Sequence, residues 1–287
     1  MSFLAQAKKP ASNPPMIVLV GSPGAGKTSL AGVFPDPVFI QAEDAGTVFE
    51  NWDEDVQPLM LPVLPTPSRN NQGQLVSAKD TLLAQLRELA TADHGYKTLV
   101  IDSISSLNRL LEKEIAVRDN VGNVADAAGG YHKGYIETAA WHAEILNACK
   151  VVSKMKKMAV VFLSHVGVEK IKNSPTEASE YTVYSLDMHR KSAQVYVANS
   201  DAVIYIKQEE FITGAETNRK GQTTKYGRSM QTGQRVLVTS GDGLIGYVDA
   251  KNRYGMDNEI PLNLGENPIL QYIKHFNKTN ETNVNAE

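Results

Sequence analysis

Eight residues near the start of the chain, Gly21-Ser22-Pro23-Gly24-Ala25-Gly26-Lys27-Thr28, follow the spacing G-x-x-x-x-G-K-[ST] and restrict the fold more than any other feature. The run before them, Met16-Ile17-Val18-Leu19-Val20, is continuously apolar and rich in β-formers, as expected of a strand buried on both faces of a parallel sheet. The segment after them, Ser29 to Phe34, reads as helix. Strand, glycine-rich turn and helix in that order build a phosphate cradle. The glycines let successive backbone N–H groups converge, and the helix N-terminus adds partial positive charge. The loop from Gly21 to Ser29 is therefore expected to bind a nucleoside triphosphate, with Lys27 reaching its outer phosphates and Thr28 ligating Mg2+. The bland reading, a glycine-rich surface turn with an exposed lysine, does not explain the flanking strand and helix.

Further apolar runs continue the alternation. Pro37–Gln41, Lys97–Asp102, Met158–Ser164 and Asp201–Ile206 read as strands, and helical patterns lie near 77–92 and 135–156. That rhythm predicts an α/β fold with a mostly parallel, doubly wound sheet. Residues 208–250 carry β-branched runs broken by Gly and polar turns, which predicts a C-terminal antiparallel extension of the sheet. The segment Gln57–Leu75 holds four prolines and is expected to be an ordered surface loop. Residues 1–15 and 277–287 are expected to be disordered, with one domain over 16–276.

No apolar run approaches the roughly 18 residues of a membrane span, and the first fifteen residues lack the apolar core of a secretory signal, so a cytoplasmic protein is expected. The single cysteine, Cys149, has no partner for an intramolecular disulfide and reads as a buried spectator. The net charge of −3 speaks against bulk electrostatic coating of nucleic acid and confines any such contact to local basic loops.

Four more segments carry candidate chemistry. Leu99-Val100-Ile101-Asp102 delivers a carboxylate to the carboxyl end of a strand, where Asp102 can hold Mg2+ together with Thr28. Glu43, just past the second strand, is the candidate to orient or deprotonate an attacking water, with Asp44 as the competing choice; its strand is expected beside the P-loop strand. Ser164-His165 is expected to close the fourth strand, with His165 either sensing the terminal phosphate or only capping the strand. Lys251 and Arg253 alternate on an extended segment and point the same way, either as a finger completing a neighbouring subunit's site or as an exposed basic turn. The other histidines show no metal-ligand spacing, and no metal beyond Mg2+ is expected.

The P-loop, a strand ending Ala-Glu-Asp, Val-Ile-Asp-Ser, Phe-Leu-Ser-His and Lys-Asn-Arg-Tyr-Gly, in that order, resemble the RecA-like ATPases. The last motif is similar to the Lys-Asn-Arg-Phe-Gly of RadA and the Lys-x-Arg trans finger of DnaB-like helicases. With the Gly129–Tyr135 segment, the chain looks most like the Sak-type single-strand annealing ATPases of phages, over residues 16–262. The resemblance implies ATP rather than another nucleotide, Glu43 as catalytic glutamate, a homo-oligomeric ring or filament, and annealing or strand exchange of single-stranded DNA in a bacterial host's cytoplasm. A single-stranded DNA-binding protein is an implied companion, and a DNA translocase or a nucleotide-gated scaffold without turnover are the alternatives. By the same resemblance, DNA contacts come from two loops, 120–135 and 169–191. These bring Tyr131, His132 and Lys133, then Lys170, Lys172, Arg190 and Lys191. Interleaved rings and cations suit base stacking with phosphate neutralisation, although a flexible lid over ATP has the same composition.

Overall fold

The computed structural model describes residues 13–171, 181–213, 216–217, 223–225, 228–241 and 248–277. Lys172, the first twelve residues of the expected arm and the tail after Asn277 lie outside the described residues.

A ten-stranded mixed sheet organises the chain. In chain order its strands are β1 (Met16–Gly21), β2 (Pro37–Gln41), β3 (Leu59–Met60), β4 (Thr98–Asp102), β5 (Ala159–Ile171), β6 (Tyr181–Leu186), β7 (Ala202–Thr213), β8 (Arg228–Val238), β9 (Lys251–Asn252) and β10 (Glu259–Leu262). The spatial order is β10-β8-β7-β1-β5-β4-β2-β3, with β6 on β5 and β9 on β7. The run from β7 to β3 is parallel, and β8, β10, β6 and β9 add antiparallel. This is the expected α/β architecture with its antiparallel C-terminal extension.

The helices are α1 (Lys27–Gly32), α2 (Ala78–Thr91), α3 (Ile104–Asp119), α4 (Lys133–Lys156) and α5 (Arg190–Asn199). Alternation along each strand divides the core between two faces. Val18, Ile40, Leu99, Ile101, Phe162 and Val203 pack with Leu82, Leu86, Leu107, Leu111, Ile145 and Tyr196 of α2 to α5. Ile17, Leu19, Val100, Leu163 and Ile204 pack with Leu30 and Phe34 beside α1 and with Ile269, Ile273 and Phe276. Helix α2 starts where Ser77 accepts a hydrogen bond from the Asp80 amide, and buried Glu114 of α3 accepts from the Ser77 hydroxyl and the Lys79 amide. Cys149 is fully buried in this core, which pushes its thiol up to about 12.

Several expectations need correction. Strand β5 does not end at Ser164-His165; it continues to Ile171 and pairs with β6, Val166 opposite Leu186 and Val168 opposite Tyr184. Its extension carries Val166 and Val168 and then the adjacent charges Glu169 and Lys170, which a ribbon with one open face tolerates. Of the expected loop 169–191, the described residues thus hold strand at 169–171 and at Tyr181–Leu186, and Arg190 and Lys191 open helix α5. The other expected loop, 120–135, runs into α4, whose first turn contains Lys133 and Tyr135. Within Gln57–Leu75, Leu59–Met60 pairs with β2 at the sheet edge, where neighbouring prolines are permitted.

His142 of α4 is wholly buried; its Nε2 donates to Asn108 Oδ1 (3.1 Å), and its Nδ1 accepts from the Tyr196 hydroxyl (2.8 Å). Burial lowers its pKa to about 3, so the folded state holds it neutral while the unfolded chain protonates it below its ordinary value near 6.5. Stability is therefore lost as pH falls through that window, by roughly 2 kcal/mol between pH 7 and 5 for this one residue. Urea unfolding at both pH values should show a smaller loss for His142→Gln than for wild type; equal losses would refute the assignment.

Candidate functional site

Strand β1 ends at Gly21, which stands opposite His165 on β5 and Ile206 on β7. The chain then turns tightly, the Ala25 amide donating to Ser22 O (3.1 Å), and Gly24 and Gly26 take φ of 77° and 101°, where a side chain is strained. Lys27 is only 7 % exposed and its ammonium donates to Gly21 O (2.9 Å) and Ser22 O (3.1 Å). Burial lowers its pKa, opposed by the charges of Asp102 and Glu43. A buried ammonium held by loop carbonyls, beside converging amides, is a site made for an anion.

At the mouth of this loop the Thr28 hydroxyl donates to Asp102 Oδ2 at 2.8 Å. Asp102 is 3 % exposed, and burial raises its pKa to about 6 against the pull of the Thr28 hydrogen bond. A hydroxyl and a carboxylate oxygen so close together fit the all-oxygen shell of Mg2+, which keeps several waters beside one or two protein ligands.

The expectation that Glu43 follows a strand adjacent to β1 is wrong, because β5 and β4 lie between β1 and β2. Glu43 nevertheless reaches the site by turning back over β4. Its Oε1 accepts from Ser103 (2.8 Å) and lies 3.3 Å from His165 Nε2, while its Oε2 accepts from Ser106 (2.8 Å). The His165 hydrogen bond is the largest influence holding Glu43 at a pKa of about 2, opposed by burial and aided by Ser106 and Ser103. Glu43 is therefore a fixed, ionised acceptor, with a side chain 40 % exposed and open to water. The competing residue Asp44 caps its own turn, accepting from the Gly46 amide at 3.1 Å. His165 is held by its backbone amide on Ser105 Oγ (3.0 Å), and its Nδ1 is buried without a partner.

Lys251 and Arg253 stand elsewhere. Strand β9 pairs with Ala202 and Val203 at the start of β7, whereas Gly21 stands opposite Ile206, so the two cations occupy the opposite edge of the sheet, about 13 Å along the strand. They share one corner: Lys251 Nζ donates to Val197 O and Ala198 O at the end of α5, and Arg253 Nη1 pairs with Asp201 (3.3 Å).

The two basic segments expected to meet nucleic acid come together. The His132 and Tyr135 rings stack at 6.0 Å, and Tyr135 stacks on His189 at 4.7 Å. Burial, and then the charges of Lys191 and His132, keep His189 below the usual imidazole value. Tyr131 is 91 % exposed beside this stack in sequence, and Lys133, Lys170 and Lys191 are exposed. Arg190 is turned toward the hairpin, 3.1 Å from Glu169. A cavity of about 860 Å3 separates the first half of the P-loop, Gly21–Ala25, from Val166, Val168 and Tyr184 of the hairpin and from β7.

Sequence reasoning missed Ser103 and Ser106, which hold Glu43; two hydroxyls three residues apart directly after Asp102 were the available signal. It also missed Arg235, whose side chain lies against Gly26. No helix among the described residues is long and apolar enough to cross a membrane. The sequence profile of the AAA domain family matches residues 13–254. No curated protein matches the chain.

Proposed function

From the premise that the chain belongs to the AAA domain family, a family of nucleotide-dependent ATPase-type domains, we propose that it hydrolyses MgATP and couples turnover to single-stranded DNA in annealing or strand exchange. The observation that carries this reading is the continuity of β5. One strand holds His165 against Glu43 at 3.3 Å and, five residues on, presents Lys170 on the hairpin. Beside that hairpin stand the His132–Tyr135–His189 stack and Lys191, rings and cations of the kind that hold single strands by stacking and phosphate neutralisation. A homo-oligomer belongs to the proposal, with a single-stranded DNA-binding protein as companion.

Within the site, the amides of Gly24 to Thr28 and the Lys27 ammonium bind the phosphates. Thr28 and Asp102 would hold Mg2+, which when bound neutralises charge between the outer phosphates. Glu43, ionised and fixed by Ser103, Ser106 and His165, accepts a hydrogen bond from the attacking water and aims its oxygen at the terminal phosphorus. Its low proton affinity favours orientation over outright deprotonation, which suits a loose phosphoryl-transfer transition state. His165 is the group through which loss of the terminal phosphate is felt on β5.

The test is steady-state ATP hydrolysis with and without single-stranded DNA, at low and moderate salt, with Lys27→Ala as the blank. The expected result is hydrolysis that DNA stimulates several-fold, that the blank lacks, and whose stimulation shrinks as salt rises. Hydrolysis indifferent to DNA overturns the DNA coupling and leaves an ATPase switched by another partner.

A further inference from the structure

Arg235 has no role in the site described so far, yet its placement is specific. In the pairing of β8 with β7 the register breaks between Gln231, opposite Glu210, and Arg235, opposite Gln208. Three residues of β8 thus stand against one of β7, and Gly233 within the bulge takes φ of 82°. Bulges of this kind re-aim the side chains that follow them. Arg235 leaves the bulge on the face of Leu237, which packs in the cluster beside α1. Its Cδ, Nε and Cζ each lie 3.6 Å from where a Cβ on Gly26 would stand, so the guanidinium lies against the P-loop backbone.

No group among the described residues pairs with that guanidinium, and its Nε is buried without a hydrogen bond. Beside it among the described residues is the start of α1 at Gly26-Lys27, the positive end of the helix, which is no partner for a cation. A guanidinium is a planar fork of donors that cannot shed its proton, and it matches the oxygens of a phosphate better than any other side chain does.

Resting on the nucleotide-binding reading above, we infer that Arg235 is a phosphate ligand contributed by the same subunit that owns the P-loop. The sheet order says which phosphates it serves. Asp102, Glu43 and His165 approach from the β5-β4-β2 side of β1, and Arg235 approaches from the β7-β8 side. It therefore faces the part of the polyphosphate remote from the reacting end, the phosphates that ATP and ADP share. Arg235 is a binding residue that acts alike on substrate and product.

The experiment uses the full chain as wild type, Arg235→Ala, Arg235→Lys and Lys27→Ala. Affinities for ATP and ADP carrying a fluorescent N-methylanthraniloyl group are measured, with tripolyphosphate as competitor, alongside melting temperatures without nucleotide. Arg235→Ala is expected to weaken ATP and ADP by a similar factor, about ten- to a hundred-fold, and tripolyphosphate as well. Arg235→Lys should fall between, keeping the charge but losing the fork. The loss in turnover should appear mainly in KM. Without nucleotide, the melting temperature should hold or rise, because a buried unpaired donor has been removed.

Affinities equal to wild type in a folded Arg235→Ala protein overturn the inference, as does a lowered melting temperature with affinity intact, which marks a structural residue. Weakened nucleotides with unchanged tripolyphosphate competition overturn it in favour of contact with the base. A loss confined to ATP overturns the assignment to the shared phosphates. If wild type binds no nucleotide, or binds it as Lys27→Ala does, the nucleotide reading itself fails; if wild type binds, Lys27→Ala does not and Arg235→Ala binds normally, only this inference fails.

Discussion

Glu43→Gln is expected to cut ATP turnover by roughly 10^2- to 10^4-fold while ATP affinity stays within about threefold. The geometry separates the two effects. Glu43 touches no part of the loop from Gly21 to Thr28 by hydrogen bond; its partners are Ser103, Ser106 and His165. A carboxamide of nearly the same shape keeps one acceptor for those hydroxyls. It loses the negative charge and presents an N–H donor where an acceptor stood, so a water at the site is no longer aimed lone pair first. Single-turnover hydrolysis measured beside equilibrium binding gives both numbers. A variant that turns over at more than a tenth of the wild-type rate would remove Glu43 from the chemistry. Unchanged function with no turnover in wild type either would favour a nucleotide-gated scaffold.

The other large effect is expected at Arg253. If it completes a neighbour's site, Arg253→Ala lowers turnover of the assembled protein by about 10^3- to 10^5-fold, the range of arginine fingers. Its position at the edge of the sheet opposite Gly21 excludes service to its own P-loop, since β9 and Gly21 meet β7 at different ends. The ion pair with Asp201 and the bond from Lys251 to the end of α5 hold both cations at one corner, where the proposed neighbour would have to meet them. Mixing supplies the decisive measurement. Arg253→Ala subunits keep an intact Glu43, and Glu43→Gln subunits keep an intact Arg253, so mixed assemblies should recover activity that neither shows alone. Wild-type turnover by an Arg253→Ala oligomer would leave the basic turn with only its local role beside Asp201.

What the sequence disclosed depended on how a feature is encoded. The strands β1, β2, β4 and the starts of β5 and β7 were legible because burial on both faces leaves uninterrupted apolar runs, and the P-loop because its glycines, lysine and threonine are fixed by phosphate geometry. Helix α3 was equally legible, with Ile104, Leu107, Leu111 and Ile115 at helical spacing, but it went unread in the shadow of Asp102. The order of strands was not, because the crossover that sets β5 and β4 between β1 and β2 leaves no residue signature. The hairpin of β5 and β6 hid behind its charges, and Arg235 behind a bulge that only the paired backbone reveals. The ring stack of His132, Tyr135 and His189 joins residues 57 positions apart (189 minus 132), beyond the reach of any local pattern.

The cavity between Gly21–Ala25 and the hairpin has a mechanical meaning. Strand β5 is clamped at its root by pairing with β1 and β4, and its outer half overhangs open volume instead of close-packed side chains. It is a beam fixed at its root and propped where Tyr184 O of its partner β6 accepts from the Tyr205 hydroxyl and the Asp249 amide, with clearance between. A close-packed interior resists small displacements, whereas a beam over a gap has room to flex between its supports. A strain of a fraction of an ångström at His165 would then bend the span, and filling the gap with bulk at Val168 should stiffen it, so that the variant keeps whatever basal hydrolysis wild type shows and loses any stimulation by DNA.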